Sequence, residues 1–397
     1  MNVTICGGGN ASHALAALLS SRPDMDVRVY SPFQDEAQRW QKNLASEVGQ
    51  AGRGFMTAKT RDGLIYGQPR LVSADPKQVV PGTQLILLAL PAFAHQDVMR
   101  SFLPFIDRQV VIGALPARGG FDWECKDVFQ GYLDSVSFFG MQTLPWACRI
   151  ERFGAAVSIL GTKREADIAV WPSHQGDYLA GKLSDLFKLQ VKPISNFLSL
   201  TLANPGQIIH PGIMYGLFHQ WDGTPYTEAP LFYQNVDGKT ARLLSQLSDE
   251  IQGVRFTLQD RFPELDLSAV VPLDEWLQRS YRDDVSDASS VQSCFQTNRV
   301  YASLRAPMRP VSGGLAPDFQ ARYLVEDVPY GLLVTRGIAE LAGIETPVID
   351  QVVDWSQDRM SRQYLIDNKL CGRDVAETRA PQRYGIKNIK QMIGGMI

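Results

Sequence analysis

His210 is the side chain of this 397-residue chain best suited to proton chemistry. It lies in Asn204-Pro205-Gly206-Gln207-Ile208-Ile209-His210-Pro211-Gly212. The two prolines predict a loop or the first turn of a helix there. Imidazole titrates near neutral pH, so it can take up and return a proton. A structural His bonding a nearby carbonyl would satisfy the same residues. Arg322 and Asp327 stand further on, in Gly314-Leu315-Ala316-Pro317-Asp318-Phe319-Gln320-Ala321-Arg322-Tyr323-Leu324-Val325-Glu326-Asp327. An Arg can grip a carboxylate with two parallel hydrogen bonds. An Asp beside a His fixes its tautomer and stabilises its cation. Ordinary surface ion pairing is the plainer reading of both. Trp276 reads as a cleft wall or as core.

The elements that would serve such residues begin at the N-terminus. Asn2 to Cys6 is a short run with β-branched Val3, Thr4 and Ile5, followed by Gly7-Gly8-Gly9-Asn10-Ala11-Ser12. Ala11, Leu15, Leu18 and Leu19 then repeat on one helical face. Strand, glycine turn and helix in that order form the phosphate-cradling entrance of a dinucleotide-binding fold. Gly7 turns the chain out of the strand, and Gly9 lets backbone approach a pyrophosphate. The helix that follows offers free N–H groups and a positive dipole end. Ser12 occupies the third glycine position, where a small side chain permits close packing. A second strand is expected over Val27 to Tyr30. Tyr30-Ser31-Pro32-Phe33 has no acid for a ribose 2′-hydroxyl, and Asp35 and Glu36 come late enough to serve a helix start instead. These residues leave NAD and NADP both open.

Up to about residue 200, strand-like runs alternate with helix-like segments. Leu85 to Leu90, Val110 to Ala114, Ser135 to Phe139, Val157 to Leu160 and Ile168 to Trp171 read as strands of a mostly parallel sheet. Turns are expected over 52–54 and at Asp62-Gly63, around a small hairpin. Beyond the boundary, placed between Phe197 and Pro205, helices are expected over Lys239 to Ile251, Gly331 to Ala342 and Val348 to Asn368. The chain therefore divides into residues 1–200, an α/β Rossmann-type domain, and 201–397, a mainly helical domain. Ligands of doubly wound sheets sit beyond the carboxyl ends of the strands. Pro91-Ala92, Arg118 and Gln142-Thr143 follow three of those strands, so their loops are expected to line the cofactor and substrate cleft.

Composition excludes several classes. A net charge of −3 with no basic tract gives nucleic acid or an anionic membrane no footing. The longest apolar run, Leu85 to Leu90, is far too short to span a bilayer. Met1 leads straight into the first strand, which predicts no signal peptide and a cytoplasmic protein. The cysteines are five, widely spaced and without a C-x-x-C pair, so they read as reduced thiols. The five histidines show no metal-ligand spacing, and no metal is expected. Asp237-Gly238-Lys239-Thr240 ends like a P-loop, but Tyr233 stands where its leading Gly belongs. No coiled-coil heptad argues for an oligomer.

The segments CGGGNASHA, LPAFAH, TLPWACR, EAPLFYQ, GGLAPDFQARYLVEDVP and APQRYG, in this order, resemble the opine dehydrogenases of marine invertebrates, the octopine/tauropine dehydrogenase family. The resemblance covers nearly the whole chain. It implies a Rossmann-type domain followed by a helical domain like that of 6-phosphogluconate dehydrogenase. It implies NADH-dependent reductive condensation of a 2-oxo acid, usually pyruvate, with an amino acid, by a monomer. Matched position by position, His210 takes the place of the family's catalytic His and Asp327 that of its carboxylate partner. Arg322 matches a substrate-carboxylate Arg. The substrate side is expected to include Thr143, Cys148 and Trp276. The cofactor side is expected to be Gly7, Gly9, Asn10, Ala11, Ser12, Ser31, Pro91 and Ala92.

Three departures bear on the amino acid. Gln142 stands where octopine-forming relatives carry a Glu that pairs with arginine's guanidinium. A buried cation without a counter-charge costs several kcal/mol, so arginine is expected to be a poor substrate. Gly206 replaces a bulkier residue. Arg118 replaces a Gln, and reads either as an anion contact or as a solvent-facing side chain. Taurine is ranked first, then alanine or glycine. A simple 2-oxo acid reductase of the ketopantoate type would need no amine. A non-catalytic dinucleotide sensor would need Gly7 and Gly9 but neither His210 nor Asp327.

Overall fold

In the computed structural model the described residues are 1–46 and 54–393. They form two compact units. One comprises Met1–Ala117 and Phe121–Leu200, and the other Arg118–Gly120 and Thr201–Ile397.

The first unit is built on strands β1 (Asn2–Cys6), β2 (Asp26–Tyr30), β3 (Met56–Thr60), β4 (Gly63–Gly67), β5 (Leu71–Ser73), β6 (Leu85–Leu88), β7 (Val110–Ala114), β8 (Val136–Met141), β9 (Trp146–Arg152), β10 (Ala156–Thr162), β11 (Glu165–Trp171) and β12 (Gln190–Pro193). Its helices are α1 (Asn10–Ser20), α2 (Glu36–Ser46), α3 (Pro76–Val79), α4 (His95–Phe102), α5 (Phe121–Val128) and α6 (Gly176–Phe187). Eight strands make one sheet in the order β12-β11-β8-β7-β6-β1-β2-β5. The strands from β5 to β8 run parallel, whereas β11 is antiparallel to β8. Strands β1, β6 and β7 are buried almost throughout, as parallel strands covered on both faces must be. Hydrophobic clusters lie on both faces, one gathering Val3, Ile5 and Leu15, the other Cys6, Ile86 and Phe102.

The chain leaves β1 for β2 on one side, while β6 flanks β1 on the other. That reversal opens a crevice at the carboxyl ends of β1, β2 and β6. The ends carry Gly7, Ser31 and Ala89 respectively.

The run Val157 to Leu160 does not join this parallel sheet. It belongs to β10, in a second sheet ordered β4-β3-β10-β9, where β9 is its antiparallel neighbour. A β-branched run announces a strand but not its partner. The β3–β4 hairpin turns at Asp62, as expected. The turn expected over 52–54 lies, but for Gly54, outside the described residues.

The second unit is mainly helical. After α7 (Phe197–Leu202), which crosses the boundary, come α8 (Gly206–Phe218), α9 (Gly238–Arg261), α10 (Leu273–Ser280), α11 (Val291–Thr297), α12 (Arg322–Val325), α13 (Leu333–Ala342), α14 (Pro347–Met360) and α15 (Ile389–Ile393). Two small hairpins interrupt them, β13 (Met308–Val311) with β14 (Gly314–Pro317), and β15 (Leu365–Ile366) with β16 (Lys369–Leu370). Helix α9 starts where Asp237 accepts a hydrogen bond from the Thr240 N–H at 2.7 Å. The P-loop-like Asp-Gly-Lys-Thr is therefore a helix cap.

The helix expected to reach Asn368 stops at Met360. Ser361 takes the left-handed conformation (φ 57°) that closes α14. Asp367 and Asn368, both at positive φ, then turn the β15–β16 hairpin.

Candidate active site

The Gly7–Ser12 turn opens at the crevice. Gly7 has φ +122°, and a Cβ there would meet Ala89 O, Leu90 and Ser12 at 2.8 Å. Only glycine fits that corner. Gly9 faces open space, with nothing within 4 Å of a Cβ position, so a phosphate can approach its backbone. It is the N-cap of α1 and uses no side chain to satisfy the helix's free N–H groups. Those groups remain available to an anion. Ser12 hydrogen-bonds the Ala89 carbonyl at 3.3 Å, tying the helix to the end of β6. Asn10 reaches away, its side chain accepting from the Ile150 N–H at 2.8 Å. Ala11 follows in the first turn, and Pro91 and Ala92 begin the short turn after β6.

An acid does stand at the end of β2. Glu36 opens α2, yet its carboxylate folds back to accept from the Ser31 hydroxyl at 2.7 Å and packs against Gly8. A carboxylate there suits a ribose diol and repels a 2′-phosphate. The sequence reading assigned Glu36 to the helix start alone. It opens the helix, and its carboxylate also lies against Ser31 and Gly8 at the crevice.

His13 was not singled out from the sequence for a role in this turn. It is fully buried, stacked on Trp40 with ring centroids 3.9 Å apart. Its Nδ1 lies 2.9 Å from the Gly9 carbonyl, and its Nε2 accepts from the Gly154 N–H at 2.7 Å. That pattern demands a neutral ring with its proton on Nδ1. Burial pushes its pKa down to about 4, with the Gly9 hydrogen bond opposing. The unfolded chain therefore binds a proton that the folded one refuses between about pH 6.5 and 4. The contribution is whole above that window, falls as pH drops through it, and amounts to about 3 kcal/mol. Urea titrations across this range should show that slope, and His13→Gln should flatten it.

In the second unit His210 lies one turn inside α8, with 19% of its side chain exposed. Its Nδ1 is 2.8 Å from Asp327 Oδ2 and its Nε2 is 3.1 Å from the Tyr233 hydroxyl. Asp327 is the N-cap of a π-helical turn, Val328–Leu332, in which the Leu332 N–H reaches back to the Asp327 carbonyl at 2.9 Å. Such turns displace one residue from helical register and are frequent at functional sites.

Asp327 and its neighbour Glu326 are each 1% exposed. Buried charges need partners. Arg118 Nη1 is 2.9 Å from Asp327 Oδ1, and its Nε is 3.5 Å from Glu326 Oε1. Asp327 Oδ1 receives no aligned hydrogen bond, so the Arg118 contact there is an ion pair rather than a directed bond. Burial works against the Arg118 charge, but Asp327 and Glu326 outweigh it and raise its pKa. Arg118 is thus no solvent-facing side chain. Its left-handed backbone (φ 62°) and the Gly119 N–H bond to the Tyr330 carbonyl, 2.8 Å, hold it in this unit. Strain of this kind is tolerated where surrounding contacts fix the conformation.

Gly206 makes room for Arg118. A Cβ at Gly206 would stand 2.8 Å from Arg118 Nη1. Arg322 pairs with Glu326 Oε2 at 2.6 Å, and its side chain is 57% exposed, so a free guanidinium edge faces outward. Trp276 lines a small cleft with Asn204, Pro205, Ile208, Ser248 and Gln252.

Gln142 and Thr143 lie in the turn between β8 and β9, where the Gln142 N–H donates to the Asp167 carbonyl at 3.0 Å. The Lys163 ammonium bonds the Thr143 hydroxyl. Cys148 is buried on β9, and burial pushes its thiol up to about 11, so it is no nucleophile. Among the described residues no group of three or more His, Cys, Asp or Glu is arranged to hold a metal ion. No described helix is long and apolar enough to cross a membrane.

Tyr233, Glu326 and Lys163 went unnoticed in the sequence, and Glu36 was set aside there for the helix start. Tyr233 was in view within EAPLFYQ, and Glu326 sits beside Asp327, but no spacing signals contacts this distant along the chain.

A nucleotide-binding sheet joined to a helical unit with a buried His–carboxylate pair defines a two-domain dehydrogenase architecture. Residues 193–360 match the family model described as NAD/NADP octopine/nopaline dehydrogenase, alpha-helical domain. The chain is 36% identical to the octopine dehydrogenase of Mizuhopecten yessoensis, over 100% of this chain and 99% of that one. It is 35% identical to the tauropine dehydrogenase of Arabella iricolor, over 98% and 99% respectively. A solved octopine dehydrogenase with NADH and L-arginine superposes with a TM-score of 0.89 at 34% identity, covering 100% of this chain and 98% of that one. The chain belongs to the opine dehydrogenase family.

Proposed function

We propose that this protein catalyses the NADH-dependent reductive condensation of pyruvate with taurine or a small neutral amino acid, and that taurine is preferred. The observation that carries the reading is the His210–Asp327 pair, 2.8 Å apart with the carboxylate fully buried. A buried carboxylate against Nδ1 leaves Nε2 as the working nitrogen and stabilises the ring when it is charged.

The cofactor is NADH, which supplies the hydride that reduces the imine carbon. The crevice residues fit it: open backbone at Gly9, uncapped N–H groups of α1, and the Glu36 carboxylate at the end of β2. His210 removes a proton from the attacking ammonium and returns it to the carbinolamine oxygen, which leaves as water. Asp327 stabilises the charged ring between those two events. The outward edge of Arg322 binds the pyruvate carboxylate, with Glu326 fixing its orientation.

Three features favour taurine. Gln142 cannot neutralise an arginine side chain. The Lys163 ammonium at Thr143 supplies a cation for a sulfonate. Arg118, admitted by Gly206, fills volume that a long side chain would need. The protein works as a cytoplasmic monomer.

NADH oxidation should be followed with pyruvate and, in turn, taurine, alanine, glycine, β-alanine and arginine. Taurine is expected to be fastest and arginine slowest. Oxidation with pyruvate alone, unaffected by any amine, would replace this reading with simple 2-oxo acid reduction. Gln142→Glu should raise activity with arginine relative to taurine, and no gain would remove Gln142 from the amine pocket.

A further inference from the structure

Gln207 is the second residue of α8 and is fully buried. Both polar atoms of its amide are engaged. The nitrogen donates to the Thr201 carbonyl at 3.2 Å and to the Leu202 carbonyl at 3.1 Å. These are the last two residues of α7, whose closing carbonyls have no further turn to bond them. The oxygen accepts from the Thr335 hydroxyl of α13 at 2.6 Å, and Thr335 is fully buried too. Turned over, the amide would set its oxygen against two carbonyl oxygens, so only this orientation satisfies all three bonds.

The partners of Gln207 lead to the three members of the charge cluster. His210 stands one turn further along α8. Thr201 Oγ1 accepts from the Gly120 N–H at 3.1 Å, two residues beyond Arg118. Thr335 comes three residues after the π-helical turn whose N-cap is Asp327. That turn also packs directly on Gln207. A Cβ at Gly331 would stand 2.7 Å from the Gln207 Cβ, so glycine lets the backbone of the turn lie against α8.

We infer that Gln207 is a positioning residue that sets α8 against the Asp327 turn, and so fixes the separation of His210 and Asp327. The inference rests on the reaction proposed above, in which that pair handles the proton. An apolar side chain of the same volume would fill the space without any polar group to satisfy. What the amide adds is direction, because hydrogen bonds fix both distance and angle where apolar contact tolerates sliding. The Nδ1 to Oδ2 contact is 2.8 Å, and it is no longer a hydrogen bond once stretched by about 1 Å. Helix α8 and the π-helical turn must therefore be registered at least that closely.

Thr335→Val keeps the shape of the side chain and removes the hydroxyl that holds Gln207, whereas Thr335→Ser keeps the hydroxyl. Thr335→Val should lower kcat about tenfold and change the KM for NADH by no more than about twofold. The His210 Nδ1 proton faces a buried carboxylate, so it should give a proton resonance well downfield of the amides, identified by its loss in His210→Ala. That resonance should move upfield or broaden in Thr335→Val. Thr335→Ser should bring both kcat and the resonance back towards the wild type. Gln207→Met removes all three bonds at similar volume and should show the larger effect, and Thr335→Val decides if that variant does not fold. A resonance that stays put in Thr335→Val would overturn the inference, whatever happens to kcat or to the melting temperature. Equal losses in Thr335→Val and Thr335→Ser would overturn it as well, because the hydroxyl would not be their cause. If the wild type turns over no amine and pyruvate pair, the proposed reaction fails on its own, and the resonance still decides whether Gln207 sets the pair.

Discussion

His210→Ala is expected to lower the rate of pyruvate- and amine-dependent NADH oxidation by about a hundredfold or more. NADH should bind to the variant as to the wild type. The reason lies in what the imidazole alone does in its surroundings. Tyr233 cannot replace it, because burial keeps the phenol protonated. Asp327 cannot replace it, because it is buried and its carboxylate stays paired with Arg118 at 2.9 Å. The residues proposed to hold NADH, Gly7, Gly9 and Glu36, belong to the other unit, so binding measured by fluorescence titration should be unaffected. A variant that retained near-wild-type turnover would remove His210 from the mechanism.

Arg118→Met should destabilise the helical unit by about 3–5 kcal/mol. The substitution keeps an unbranched apolar stem but leaves two buried carboxylates with less cation than they need. Glu326 keeps Arg322, although that side chain is largely in solvent and screened. Asp327 keeps His210, whose ring carries no charge unless it is protonated. Chemical denaturation of the full chain, followed by a probe in the helical unit, should show an earlier transition. The added loss on combining Arg118→Met with Asp327→Asn should be much smaller than the sum of the two, because the second change removes the charge that the first strands. Full additivity would mean that the 2.9 Å contact contributes little.

Much of the first unit was legible because its signals are local. Val3-Thr4-Ile5, the glycine turn and the Ala/Leu face of α1 follow one another without a gap, and each implies the next. Leu85 to Leu90 and Val110 to Ala114 announced buried parallel strands by apolar content alone. What failed there was partnership: Val157 to Leu160 is a strand in another sheet. In the second unit Asp367-Asn368 carried a hairpin signal that a helical reading of the preceding residues obscured. His210 and Asp327 could each be nominated by type. Their contact spans 117 residues, and only the family's motifs, not spacing, brought them together. Glu36 does open its helix as expected, but nothing in the sequence signalled that its side chain turns back towards the preceding strand. Arg118 had two readings open, and the solvent-facing one fails because the side chain, on a left-handed backbone, pairs with Glu326 and Asp327.

The three residues Arg118 to Gly120 have a consequence for anyone recombining these proteins. A chimera cut at residue 200 would take its first half from one parent and its second from another. It would also import a foreign residue at position 118 into the charge cluster of the second parent's helical unit. A parent with Gln there would leave Asp327 short of its cation, and a parent with a bulky residue at position 206 would have no room for the arginine. A stable chimera therefore requires transplanting Arg118 and Gly206 as a pair, although they lie on opposite sides of the obvious splice point.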